Sequence, residues 1–249
     1  PWTAVQVGAS DPMKAWRPEL FGQTLAALSR QTPLGYVFIG TESERKAIET
    51  AQMAYRQAGG RGPLCDAVGR TTLPQLAAVL AQCRLLLTND TGPMHLAVGV
   101  GTPVIDLSVG HVDFRETGPY GPGHWIVQPD IGCAPCGFDQ VCLHHACKDR
   151  LVPDQIAALC LHVLNGAAFP EKLTGIKIYR SRVDEVRAIY GSSQSGTHGF
   201  GASARLEGEH GTPGSAYASR GQAGIQSGGT GSFDRPTAVA DQYPAADAA

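Results

Sequence analysis

LLLTNDTGPMHLAVGVGTPVIDL, residues 85–107, decides how the rest of the chain is read. An apolar run, Leu85 to Leu87, ends abruptly in Asn-Asp-Thr-Gly-Pro. A helical stretch of small residues over 93–100 follows, and Gly-Thr-Pro then opens a second apolar run, Val104 to Leu107. Short apolar runs bounded by turn residues read as buried strands. A strand, a tight turn, a helix and another strand in quick succession make one βα unit of a parallel sheet.

The same alternation repeats on both sides of this stretch. Ala4 to Val7 reads as a strand, and Phe21, Leu25 and Leu28 recur at helical spacing. Tyr36 to Ile39 is a short apolar run ending at Gly40. Ile48, Ala51 and Tyr55 give a second helical face, and Leu73, Leu76, Ala77 and Leu80 a third. Trp125 to Val127 reads as one more strand. Ile156, Leu159, Cys160 and Val163 mark a last helix, with Pro153 in its first turn. The expected class is α/β: a Rossmann-like parallel sheet with helices on both faces. Three regions are expected. Residues 1–166 form a ligand-binding domain and 167–190 a partly ordered, charged extension. Residues 191–249, rich in Gly, Ser, Ala and Thr, are expected to be disordered.

The chain has 249 residues and a net charge of −2, with no basic stripe, so a nucleic-acid partner is not expected. No apolar run is long enough to span a bilayer. The chain opens in a strand-like segment without Met, as expected of a fragment lacking an N-terminal part. Seven cysteines, an odd number, do not suit a disulfide scaffold at this length, so reduced thiols and a cytoplasmic location are expected.

Ligands of such sheets bind beyond the carboxyl ends of the strands. Three strand-to-helix turns carry chemistry there. Gly8-Ala-Ser-Asp-Pro-Met-Lys14 offers a hydroxyl at Ser10 and a cation at Lys14. The lysine suits a phosphate, or is a solvated surface group. Gly40-Thr-Glu-Ser-Glu44 places Glu42 and Glu44 after a strand, where an acid bonds a ribose or favours the helix dipole. In the opening stretch Asp90, Thr91 and Gly92 precede Pro93, which fits the first helical position. Free amides at a helix start attract an anion, although Asp90 or Thr91 can equally cap the helix. Asp-Thr-Gly is also the triplet of aspartic proteases, but that chemistry needs paired carboxylates in a β-rich setting. No P-loop is present, and Gly99-Val-Gly101 lacks the last glycine of a dinucleotide fingerprint.

Cys133, Cys136, Cys142 and Cys147, with His144 and His145 between them, allow a zinc site, reduced structural thiols or a disulfide pair. No metal and no cofactor are expected.

Taken together, these turns resemble the C-terminal half of the ADP-heptose:lipopolysaccharide heptosyltransferases, glycosyltransferase family 9. The matching stretches are VQVGASDPMKAWRPELF, YVFIGTESE, VGRTTLPQLAAVLAQCRLLLTNDTGPMHLAVGVGTPVIDL and TGPYGPGHWIV, followed by the cysteine cluster. The resemblance covers residues 3–165. It implies a GT-B architecture, of which this chain is the donor-binding half, and an inverting transfer of heptose from an ADP-heptose-like donor to a glycolipid or glycan acceptor. By position, Ser10 and Lys14 would contact the diphosphate and Glu42 or Glu44 the ribose. Thr71 and Thr72 would border the base; Asp90, Thr91, Gly92, Pro93 and His95 would cradle sugar and phosphates. Amides at residues 91–93 would assist Lys14 on the leaving group. The family needs no metal, and its general base lies in an N-terminal domain that this chain lacks, so the catalytic residue is unknown here. Peripheral association of the complete enzyme with the inner membrane is implied too. Ser108-Val-Gly-His-Val-Asp113 departs from the family's usual Phe-Gly-Pro-Thr-Asp-Pro. A sugar-nucleotide epimerase of the same architecture and a non-catalytic zinc module are the alternatives.

Overall fold

The computed structural model describes residues 1–137, 142–171, 173–181 and 186–190, the last group as backbone alone. The tail expected to be disordered lies outside the described residues. Strands β1 (Trp2–Gln6), β2 (Gly35–Ile39), β3 (Leu64–Asp66), β4 (Cys83–Asn89), β5 (Val104–Leu107) and β6 (Trp125–Pro129) pair with one another in parallel. Strand β7 (Ile176–Ser181) pairs antiparallel with β6, and β8 (Val186–Tyr190) pairs antiparallel with β7. The sheet order is β3-β2-β1-β4-β5-β6-β7-β8.

Hydrophobic patterning explains why the middle of this sheet is parallel. All five residues of β2, Gly-Tyr-Val-Phe-Ile, are buried, as are all four of β5 and all five of β6. Strands apolar on both faces must be covered on both. One face packs on α1 (Pro18–Ser29), α2 (Arg45–Gln57) and α7 (Pro153–Asn165), through Phe21, Leu25, Ile48, Tyr55, Ile156 and Leu159. The other packs on α3 (Leu73–Ala81) and α4 (Gly92–Gly99), through Leu76, Leu80, Met94 and Ala97. Two short helices, α5 (Phe114–Thr117) and α6 (Ala146–Arg150), lie in loops.

The order matters for function. The chain runs outward from β1 to β2 and β3, then returns to place β4 on the other side of β1. Turns leaving β1 and β4 therefore diverge, and a crevice opens between their carboxyl ends. The two stretches richest in polar turn residues, 8–16 and 89–95, face each other there. A surface groove lined by Trp2, Arg30, Leu34, Arg61 and Pro63 lies at the opposite, amino-terminal end of the central strands.

Candidate functional site at the carboxyl ends of β1 and β4

Asn89, the last residue of β4, ties the two turns together. Its side chain is fully buried and sits between them. Nδ2 donates to the carbonyls of Val7 (2.7 Å) and Gly8 (3.3 Å), and Oδ1 accepts from the Trp16 backbone N–H at 3.0 Å. The turn after β1 is thus held at both ends by one amide. Within it, Asp11 caps a single 3-10 turn, Pro12–Lys14, accepting from Met13 N at 2.8 Å. Ser10 is exposed and Lys14 half-buried.

Behind this turn stands the cysteine segment. Trp16 is fully buried, and its indole N–H donates to the Lys148 carbonyl at 2.8 Å. Lys148 Nζ donates to the Pro12 carbonyl at 2.6 Å, and Arg17 pairs with Asp149 at 2.6 Å. Cys136 N–H donates to the Gly110 carbonyl at 3.0 Å. The four cysteines are free thiols. Burial raises the Cys136 thiol, and the neighbouring Cys133, Cys147 and Cys142 raise it further. Among the described residues, no group of three or more His, Cys, Asp or Glu side chains stands in a metal-ligating arrangement.

At β4 the chain turns through Asp90 into α4. Thr91 occupies the cap position but makes no side-chain cap bond to the helix; its hydroxyl donates to the Asn89 carbonyl at 3.2 Å. Asp90 does not cap either, because Oδ2 accepts from Thr117 Oγ1 at 2.6 Å. The start of α4 is therefore left open to a ligand, and nothing lies within 4 Å of the space a side chain on Gly92 would fill. Of the amides expected at residues 91–93, Pro93 has none, so Thr91 and Gly92 supply the N–H groups. His95 is exposed on the first turn.

The charges converge on Asp90, which is 7% exposed. Burial raises its carboxyl pKa; the Thr117 hydrogen bond and the positive charges of Lys14, His95 and His111 pull the other way, with a net rise. His111 Nε2 lies 3.4 Å from Asp11 Oδ2, so the departing 108–113 loop meets the first turn. Gly110 (φ +70°) belongs to the same contact: a Cβ there would sit 2.2 Å from the Met13 carbonyl oxygen.

The remaining expected residues lie on the β2 and β3 side. Glu44 is turned inward: Oε1 accepts from Gln6 Nε2 at 2.8 Å, and Oε2 accepts from the Thr41 N–H at 2.7 Å in a capping box. A Cβ on Gly8 would sit 2.0 Å from Glu44 Oε1, so Gly8 makes room for that carboxylate. Glu42 is exposed and ion-paired with Arg45, which also reaches Asp66 at 3.1 Å. Thr72 caps α3 in a second capping box with Gln75, and Thr71 precedes it, half-buried. Glu44 and Thr72 thus hold local structure, whereas Glu42 is exposed beside Arg45 and Thr71 is half-buried ahead of α3.

Sequence reasoning passed over Asn89, Asp106, His111 and Thr117. A signal existed for two of them. Asn89 and Asp106 are polar residues in buried runs of their strands, residues 85–89 of β4 and 104–107 of β5, where an unpaired polar group is costly.

Residues 1–146 match the family described as Glycosyltransferase family 9 (heptosyltransferase). The chain belongs to this family. Among family relatives, lipooligosaccharide heptosyltransferase 2 of Campylobacter jejuni is 26% identical over 157 residues, 62% of this chain and 48% of that protein. Lipopolysaccharide core heptosyltransferase OpsX of Haemophilus influenzae is 46% identical over 52 residues, 21% of this chain and 15% of that one. The structure of the E. coli ADP-heptose LPS heptosyltransferase II superposes with a TM-score of 0.55 at 20% identity, over 66% of this chain and 46% of that one. The chain spans about half the length of the curated relative it matches over the longest of these stretches. Its sheet is the Rossmann-like half of a GT-B heptosyltransferase fold. The epimerase and zinc-module alternatives find no support in a family of transferases. Among the described residues no helix is long and apolar enough to cross a membrane.

Proposed function

We propose that this chain is the donor-binding half of an inverting glycosyltransferase that uses an ADP-heptose-like nucleotide sugar. The observation that carries this reading is the uncapped start of α4 facing the Lys14 turn across the β1/β4 crevice, with Asp90 between them. Two amides, a helix dipole and one ammonium suit a diphosphate. Asp90, held by Thr117, suits the hydroxyls of the attached sugar. Glu42 and Thr71 border the β2/β3 side, where the ribose and base would lie. Ser10, exposed on the first turn, would reach the diphosphate from there.

In the complete enzyme an acceptor hydroxyl would attack the anomeric carbon while a carboxylate takes its proton. The bond to the diphosphate oxygen breaks, and Lys14 with the amides of Thr91 and Gly92 would stabilise the charge on the leaving group. That carboxylate is expected in the N-terminal half of the enzyme, together with most of the acceptor site. The acceptor is read as a lipopolysaccharide-core-like glycan. The setting is read as cytoplasmic, with peripheral attachment of the complete enzyme to the inner membrane surface.

The test is calorimetric titration of the purified chain with a panel of nucleoside diphosphates, then of nucleotide sugars. Binding of a nucleoside diphosphate with little or no transfer to acceptor is expected. A folded protein that binds none of the panel would defeat the reading.

A further inference from the structure

Asp106 is a buried acid that the proposed donor contacts do not use. It lies in the middle of β5, with 0% exposure, and neither carboxyl oxygen has a hydrogen-bond partner among the described residues. Its neighbours on the sheet are Thr88 of β4 and Ile126 of β6. Val104, two residues earlier, packs in the cluster that includes Met94 and Ala97 of α4. Strand alternation puts Asp106 on that same face, one step nearer the carboxyl edge. It therefore lies under the α4 side of the sheet, next to the donor site. The charged groups that act on it are Asp90 at the end of β4 and Lys14 on the turn after β1. His95 on α4 and His111 on the 108–112 loop act on Asp90.

An ionised carboxylate with no partner in such a place is prohibitively costly, so the group keeps its proton. Burial is the main cause, the Asp90 carboxylate adds to it, and Lys14 opposes it. An apolar residue would fill the position at no such cost. What a carboxyl adds is the ability to change the charge of the site.

We propose that Asp106 is a positioning residue that sets the charge of the donor site: while it carries a proton, Asp90 is the one carboxylate facing Lys14, and the ammonium is left to the ligand's diphosphate. Once Asp106 ionises, two carboxylates compete for Lys14 and oppose an anionic ligand. The inference rests on the donor-binding reading above.

The experiment is the affinity of the whole chain for ADP across pH 6 to 9, read by calorimetry, for wild type, Asp106→Asn and Asp106→Ala. Infrared spectra of the same proteins follow the carboxylic-acid C=O stretch. All three bind alike at the acid end. Over the pH range in which the wild type's acid C=O band fades, its affinity falls about tenfold further than that of either variant, the effect of one added like charge at short range. At pH 6 an acid C=O band is present in wild type and absent from both variants. Alanine, small and neutral, serves where the asparagine amide disturbs packing. Superimposable affinity profiles in wild type and variants, or no acid band lost on substitution, overturn the proposal. A folded wild type that binds no ADP at any pH defeats the donor-binding reading instead, and this inference with it.

Discussion

Thr117 Oγ1 lies 2.6 Å from Asp90 Oδ2, and this one hydrogen bond joins α5 to the turn that opens α4. It has two effects. It favours the ionised form of a largely buried carboxyl, and it keeps that carboxyl from folding back to cap its own helix.

Thr117→Val keeps the shape and removes the donor. Stability falls by about 1–2 kcal/mol. The loss depends on pH, with a sign that follows from Asp90. Its folded-state pKa already lies above the ordinary value, so the unfolded chain ionises first and stability declines as pH rises between the two. Without Thr117 the folded pKa climbs further and the decline continues longer. Denaturant midpoints therefore differ more at pH 8 than at pH 5.

Lys14→Ala removes the one ammonium that acts on both buried acids of the site. ADP affinity falls by about tenfold or more, as expected for loss of a charge-assisted contact. The salt dependence of binding flattens too. Adenosine, which has no phosphate, loses nothing. Titrations of both ligands at two salt concentrations check this.

Asn89→Leu leaves the Trp16 N–H and the Val7 and Gly8 carbonyls without their buried partner. The cost is about 3–5 kcal/mol, as expected when several buried polar groups are left unsatisfied at about 1–3 kcal/mol each. Asn89→Asp does little better, since a carboxylate still accepts from Trp16 but repels both carbonyls. Chemical denaturation of both variants measures it.

The alternation of strands and helices was legible because buried parallel strands are apolar without interruption, as in Tyr36 to Ile39. Strand β3 was not. Its three residues follow Gly59, Gly60, Gly62 and Pro63, and pairing with β2, rather than its own pattern, makes it a strand. Strand β7 was missed because Lys177 and Arg180 mask an alternation whose Ile176 and Ile178 are fully buried. At the site, the turn residues were visible as turn residues, but their partners were not. Thr117 lies 27 positions from Asp90, and Lys148 lies 136 from Pro12. No local pattern carries such pairings. Glu42 and Glu44 looked interchangeable in sequence, yet Glu44 is spent on Gln6 and Thr41, whereas Glu42 is exposed beside Arg45.

His124 tests the other end of the pH scale. It is 6% exposed and its Nδ1 has no partner among the described residues, so burial holds its pKa below the ordinary histidine value. The unfolded chain then takes up a proton before the folded one does. The stability is present above the unfolded value and is lost as pH falls through that window. His124→Phe, which cannot titrate, gains on wild type by a few degrees in Tm as pH drops below about 6.5. Thermal scans at pH 8 and pH 5.5 measure the difference.

Lys148 gives the cysteine segment a route to the proposed donor site. Its ammonium donates to the Pro12 carbonyl at 2.6 Å, at the start of the 3-10 turn that ends in Lys14. Its own carbonyl receives the Trp16 indole at 2.8 Å, two residues beyond that turn. Lys148→Met keeps the apolar stem and releases only the first of these bonds. ADP affinity is expected to fall about threefold to tenfold, the effect of losing one charged hydrogen bond that positions another group. Because Lys148 acts through the position of Lys14, the two losses do not add. In a Lys14→Ala background Lys148→Met changes ADP affinity by less than about twofold, which is the coupling expected of residues sharing one element. Calorimetry on the four proteins of this cycle decides it: additive losses would mean that Lys148 meets the ligand by itself.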